Sequence, residues 1–301
     1  MSRTAQVTLL LLIALCFPSL VSAFPFPAPR SIDIYPWAPT PDQHAFLSVD
    51  DSISPSVPGP GGKPVSVQVT NIAGVITVNA VLAIDPNATT QETKFQVDLG
   101  IVPIGHYTLN YSSVEVGGTP VTNLSLSFTV STQGYATAIE YFSPTLGHFF
   151  VTAFADEIAA LDSGAISGWM RTGESFRVIP STLSVSTLRP VCRFYGVPQA
   201  GLNSHFFTPS NSECSLVQKR YPGAWILETP SAFQTVSVDL TQSCPAGSVP
   251  VYRLYNNRPD ANHRYTTSFT TAQQMIRLGW IPEVFPPTEP GGPATMCAPG
   301  S

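Results

Sequence analysis

NHRYTTS, at residues 262–268, decides how the second half of this chain is read. Histidine, aromatic and threonine also come together at 204–208 as SHFFT and at 147–152 as GHFFVT. The chain has five histidines, and three of them (His148, His205 and His263) stand in this one context, 57 and 58 residues apart. Each is followed by a helical signal and then by a tryptophan: Trp169, Trp225 or Trp280. Near-constant spacing of this kind marks an internal repeat, in which no single unit can bury its own aromatic face.

Each unit reads as two strands, a helix and a third strand. The first strand is aromatic (EYF, CRFY, YRLY), a loop rich in Gly, Pro or Asn follows, and the second strand carries the histidine. Helices are expected over IAAL, CSLV and QQMIRL, whose apolar residues share one face. Ser210–Glu213 and Thr270–Gln273 fit a capping box. Gly164 and Gly279 are positioned to end the first and third helices. The third strand opens with the tryptophan. Three β-β-α-β units, at about 136–188, 189–243 and 244–299, are expected to close into a pseudo-threefold α+β domain spanning 133–301.

The rest of the chain divides by composition. Residues 1–23 read as a signal peptide, with Arg3, an apolar run and Val21-Ser22-Ala23 before the cut. The run is short for a bilayer span, so no stable membrane segment is expected after its removal. Residues 24–43, with six prolines, read as an extended tether. Residues 44–132 carry short alternating runs (VSVQVT, VITVNAVLAI, TKFQVDL, HYTLNYS, LSLSFTV) separated by PGPGGKP, DPNATT, PIG and VGGTP, the pattern of a β-sandwich. Tyr107, two residues after Gly105 at the start of such a run, resembles the tyrosine corner of immunoglobulin-like domains. That resemblance implies a phenol bonded back to nearby backbone. The fold class expected is mainly β: an immunoglobulin-like β-sandwich followed by the α+β repeat domain.

A net charge of −5 gives no basic footprint for nucleic acid. Export leaves Cys192, Cys214, Cys244 and Cys297, which fit two disulfides in an oxidising compartment, secreted or periplasmic. No two of them are in CxxC spacing, so structural zinc is disfavoured. Pairing within a compact unit predicts Cys192–Cys214 and Cys244–Cys297, with Cys192–Cys244 as the alternative.

CPAGSVPVYRLYNN, NHRYTTS, LGWIPE, MCAP, SHFFTPSNSEC and GHFFVTAFADEIAALDSG together resemble a secreted three-repeat domain of unknown function, over about residues 136–299. The resemblance implies an accessory, glycan-binding role beside secreted hydrolases and brings no catalytic residue with it. PGAW in place of Gly-Trp, and Arg264 in place of an aromatic, depart from its pattern.

Candidate sites follow from residue chemistry. His148, His205 and His263 on a threefold axis could hold a metal, but the same position in every unit also suits a local structural bond, with Thr152, Thr208 and Thr266 as partners. The structural reading is preferred, and neither metal nor cofactor is expected. Trp169, Trp225 and Trp280 could stack on sugar rings or sit in the core. The loops 144–147, 197–204 and 256–262 are the better binding surfaces, with Asn203, Asn256, Asn257, Arg258, Asp260 and Asn262 supplying donors and acceptors. Glu228 and Glu283 follow their tryptophans as W-x-x-E, and Asp156, Glu157 and Glu213 fall at helix starts, where the dipole favours them. No GxSxG, HExxH or P-loop occurs. The function expected is non-catalytic binding of an extracellular polysaccharide or cell-wall glycan. A hydrolase using carboxylates of the repeat domain, and a structural or protein-interaction module, are the alternatives.

Overall fold

A computed structural model describes residues 30–50, 61–85, 94–118, 120–183, 185–238, 243–283 and 294–300. The expected signal peptide, and the tether up to residue 29, lie outside them.

The first half holds β1 (Ser31–Tyr35), β2 (His44–Asp50), β3 (Gly61–Ile72), β4 (Val75–Asp85), β5 (Lys94–Ile101), β6 (Gly105–Glu115) and β7 (Pro120–Val130). They form two sheets, ordered β1-β2-β5 and β3-β4-β6-β7. β4 and β6 are parallel because the chain crosses to the other sheet as β5 between them. One core joins both sheets, with Ile34, Leu47, Ile76, Val78, Leu109, Tyr111 and Phe128 buried in it. Tyr107 donates to the carbonyl of Pro103 at 2.9 Å and stacks on Phe128, giving the expected bond back to the backbone. The tether is corrected here. Ser31–Tyr35 pairs with β2, and Ile32, Ile34 and Trp37 are buried. The prolines flank this stretch but none falls within it, so its amides are free for the ladder and its isoleucines alternate inward.

The second half repeats one order of elements three times. β8 (Ala136–Ser143), β9 (His148–Thr152), α1 (Ala155–Asp162) and β10 (Met170–Val178) make the first group. β11 (Arg189–Gly196), β12 (Ser204–Thr208), α2 (Asn211–Arg220) and β13 (Trp225–Thr235) make the second. β14 (Ser248–Tyr255), β15 (His263–Thr266), α3 (Phe269–Arg277) and β16 (Ile281–Pro282) make the third, with β17 (Met296–Pro299) also pairing on β14. In each group the first strand is central, flanked by the second and third. β16 and β17 together occupy the side of β14 that β13 alone occupies on β11. The middle strands meet at the centre, where Val151, Phe207 and Tyr265 share a core with Tyr141, Phe233 and Met296.

Both expected disulfides form: Cys192–Cys214 ties β11 to α2, and Cys244–Cys297 ties the approach to β14 to β17, with Cα separations of 6.4 and 5.6 Å. Ser210 caps α2 by accepting from the Glu213 amide at 3.2 Å, as the capping box predicts. The third cap is Ser268, which accepts from the Thr271 amide at 3.1 Å, two residues before the expected Thr270. The reason lies in Phe269, which packs against the Tyr252–Leu254 cluster as the first helical residue. Gly164 and Gly279 follow the helix ends with φ of 77° and 93°, which a side chain would resist. The halves are packed together: Ile179, Leu183, Val185 and Leu188 are buried in the first-half core, and Thr187 donates to half-buried Asp33 at 2.6 Å.

Candidate ligand cavity

Strand register fixes which residues of the three groups occupy the same place. Thr152, Thr208 and Thr266 close β9, β12 and β15, and each hydroxyl accepts the amide two residues on, at 3.0–3.1 Å, to turn the chain into its helix. Counting back from that threonine, Tyr195 faces His205 and Tyr255 faces His263, but Phe142 faces Phe149. His148 faces Ser143, as Ser204 faces Gly196. The three histidines therefore do not share one position, which overturns their alignment in the sequence. β9 has one more residue between histidine and threonine than β12 and β15, and that count was available in the sequence.

The groups meet along three seams. At the first, Arg193 of β11 reaches back to Glu157 of α1 with a two-pronged pair at 2.7 and 2.8 Å, and its Nε lies 2.8 Å from Glu228. At the second, Arg253 of β14 pairs in the same manner with Glu213 of α2 at 3.0 Å, and its Nε lies 2.8 Å from Glu283. Both guanidiniums are buried and lie over aromatic rings, Arg193 at 5.0 Å from Phe154 and Arg253 at 4.9 Å from Phe206. The third seam has the opposite polarity. Glu140, on β8 where β11 and β14 carry arginine, is 1% exposed and accepts from Arg264 at 2.8 and 2.9 Å. Arg264 takes the position of Phe150 and Phe206 and lies 4.0 Å over Phe149. Thr172 stands where Glu228 and Glu283 stand and donates to Glu140 at 2.7 Å, and Thr271 stands where Glu157 and Glu213 stand. The difference of Arg264 from the other two groups is thus matched by three more, at Glu140, Thr172 and Thr271.

Burial alone would raise the carboxyls of Glu157, Glu213 and Glu283. Bonds and charge from Arg193 at Glu157, from Arg253 at Glu213, and from His263 and Arg253 at Glu283 hold all three below the ordinary carboxylate value. Glu228 goes the other way, because burial and the charge of Glu157 outweigh its single contact with Arg193. Burial and the nearby Arg193 charge push His205 down to about 3, so it is neutral at physiological pH.

A cavity of about 540 Å³ opens on the second seam, between α2 and the third group. Phe206, Trp225, Tyr221 and Tyr255 supply its aromatic wall, and Glu213, Glu283, His263 and Arg220 its polar groups. Gly196 admits Trp225 there: a Cβ would lie 2.8 Å from Leu202 Cβ and 3.0 Å from the indole. His263 Nε2 lies 3.2 Å from Glu283, while its buried Nδ1 has no partner among the described residues.

The structure places the expected site residues unequally. Trp169, Trp225 and Trp280 are half-buried, each against an aromatic: Phe150, Phe206 and Phe149. Only Trp225 lines the cavity. Within the 256–262 loop, Asn256 and Asn262 are buried, which moves them from the ligand surface to the scaffold. Asn262 accepts from the Phe149 amide at 2.7 Å and donates to the Phe149 carbonyl and Ser204. Asn256 donates to Asp260 at 2.8 Å. Arg258 holds Asp260 well below the carboxylate range and donates to Leu146 carbonyl at 2.8 Å, and His148 lies 3.0 Å from Asp260. The loop therefore clamps the first group to the third. Asn203 receives His148 on its carbonyl at 2.9 Å and Tyr195 on its side chain at 3.0 Å. Asn257 is exposed, with φ 53°. Sequence reasoning missed the Arg193 and Arg253 seams, although an arginine at the same place in both apolar opening strands, CRFY and YRLY, was the available signal.

The chain is mainly β and carries two disulfides, and among the described residues no helix is long and apolar enough to cross a membrane. Residues 137–285 match the family model described as Domain of unknown function (DUF5648). No curated protein and no solved structure matches the chain.

Proposed function

We propose that the chain is an exported, non-catalytic protein that binds an extracellular polysaccharide or cell-wall glycan. In this reading the second half is three copies of one unit around a pseudo-threefold axis, and the first half is an immunoglobulin-like sandwich fixed against it. The observation that carries the proposal is the cavity on the second seam, where an indole, two phenols and two ionised carboxylates converge in a space of about 540 Å³. That volume is within the usual range for small-ligand sites, roughly 300–1,000 Å³. An apolar ring face beside fixed acceptors suits a sugar, which has C–H groups on its faces and hydroxyls at its edge. The same carboxylates argue against glycoside hydrolysis at this cavity, since both are held ionised by Arg253 and a glycosidase needs one protonated acid. The test is a binding screen of the full chain against polysaccharides and cell-wall fractions. Retention on at least one glycan, competed by its soluble oligosaccharide, is expected, and no retention on any would overturn the proposal.

A hydrolase is kept as a second reading by one observation at the first seam. There Glu157 is held low and Glu228 is raised, with both on Arg193, and carboxyls whose environments push them apart can divide acid and base roles. Release of reducing ends from a glycan, abolished in Glu228→Gln, would establish it.

A further inference from the structure

The walls of the second-seam cavity also discriminate among glycans, and we infer that it takes an uncharged sugar ring, stacked on Trp225 and held by its vicinal hydroxyls, and excludes uronic, sulfated and phosphorylated sugars. This rests on the glycan reading above and adds the class of ligand to it.

The positive charge behind the cavity is already committed to the protein. Recognition of an acidic sugar needs guanidinium or ammonium donors free to form a two-pronged contact. Arg253 is the buried cation there: NH1 and NH2 donate to Glu213, and Nε, which makes no aligned hydrogen bond, lies 2.8 Å from the Glu283 carboxylate. What it leaves at the wall is the outer side of two carboxylates. The remaining cation, Arg220, is exposed in the last turn of α2, with its guanidinium 5.9 Å over the Tyr221 ring at the rim. An anionic ligand would therefore approach Glu213 and Glu283 with no arginine or lysine buried and free among the described residues to meet it, and like charges in such a setting oppose binding strongly.

Uncharged hydroxyls meet the opposite situation. Both described contacts of the Glu283 carboxylate, to Arg253 and to His263, fall on Oε2, which leaves Oε1 as an acceptor for a sugar O–H. His263 Nε2 is directed to Glu283, and its Nδ1 is buried at the cavity wall with no partner among the described residues. A buried ring nitrogen in that state calls for a hydrogen-bond partner from outside the protein, and a hydroxyl can donate to it or accept from it. A carboxylate oxygen and an unpartnered ring nitrogen on neighbouring side chains of one wall, beside an indole, present what a vicinal diol on a sugar edge would satisfy. The third seam cannot offer the same arrangement, because Arg264 lies over Phe149 and a threonine, Thr172, replaces the wall carboxylate.

The full chain is titrated by calorimetry at neutral pH with three kinds of tetrasaccharide: neutral glucan and mannan fragments, oligogalacturonate, and chitosan fragments. A neutral fragment is expected to bind at least about tenfold more tightly than oligogalacturonate, and Trp225→Ala to weaken it about tenfold, while Trp169→Ala leaves it unchanged. Since Trp225→Ala also removes packing against Phe206, Tyr221→Ser on the exposed rim serves as a second variant, with about a threefold loss expected. Preference for the acidic or the amino oligosaccharide would overturn the charge argument. Neutral binding that survives both cavity variants would overturn the site while leaving glycan binding intact. Absence of binding by every class would overturn the glycan reading and this inference with it.

Discussion

The first two seams and the third solve one problem with opposite polarity. In the first two, a buried arginine on the opening strand is held between a carboxylate from the preceding helix and one from its own group. In the third, the opening strand carries the carboxylate, Glu140, and the cation comes from the neighbouring middle strand as Arg264. Four positions differ together, with Glu140 and Arg264 bringing opposite charges and Thr172 and Thr271 removing the two carboxylates that Arg264 would otherwise meet. Each seam thus needs a paired charge at that depth, while the side from which the positive member comes is free.

The largest effect should come from breaking the inverted seam. Glu140→Gln leaves the Arg264 guanidinium buried without its counter-ion, and loss of one partner from a buried pair costs about 3–5 kcal/mol. Urea unfolding of the full chain measures it, and a loss under about 1 kcal/mol would mean that Arg264 relaxes to solvent. The sharper variant copies the other seams: Glu140→Arg with Arg264→Phe, Thr172→Glu and Thr271→Glu. It should recover most of the stability that Glu140→Arg alone removes, and no recovery would show that the seams are not interchangeable.

Next comes acid. Glu213 and Glu283 have folded values below their ordinary 4.5, so the stability they confer is present above that value and fades as pH falls below it. Glu228, raised in the fold, binds its proton more tightly there than in the unfolded chain, so its contribution becomes more favourable as pH falls. The two Arg seams should therefore separate in acid. Glu283→Gln should flatten the acid loss of stability and Glu228→Gln should steepen it, as read from unfolding free energies between about pH 6 and about pH 3. Parallel curves for the two variants would contradict the difference between the seams.

Much of this was legible in the residues alone, and what was hidden has a physical cause. Five of the seven first-half strands announce themselves by alternation between Gly- and Pro-rich turns, and both disulfides follow from proximity within a unit. β1 was obscured because prolines on both sides drew the stretch into the tether, although Ile32 and Ile34 alternate as a strand requires. The histidines were misaligned because histidine is the rarer residue of the motif, whereas the geometry shared by all three groups is the threonine that turns each chain into its helix. The seams were illegible for a different reason. Arg193 and Glu157 are 36 residues apart and Arg264 and Glu140 are 124 apart, so only the closed arrangement brings them together.

Gly196 offers an effect of intermediate size. Gly196→Ala would push a methyl to 2.8 Å from Leu202 Cβ and 3.0 Å from the Trp225 ring, and overpacking of that kind costs about 1–3 kcal/mol. Trp225 fluorescence should shift with it. Ser143 and Asn256 hold the corresponding place in the other groups, so Gly196→Ser tests whether the close approach of Trp225 is what sets the second group apart.

The smallest effect distinguishes the helices. Ser210 and Ser268 cap α2 and α3 with a side-chain bond, but α1 begins after Phe154, which makes none. Arg193 lies 5.0 Å over the Phe154 ring, so the first seam takes a cation–π contact where a cap would stand. Ser268→Ala should cost about 1 kcal/mol, whereas Thr270→Ala, at an exposed position inside the helix, should be neutral or gain a few tenths. Phe154→Ser supplies a cap and removes the ring, so it should lose stability on balance, and a net gain would show that Arg193 needs only its two carboxylates.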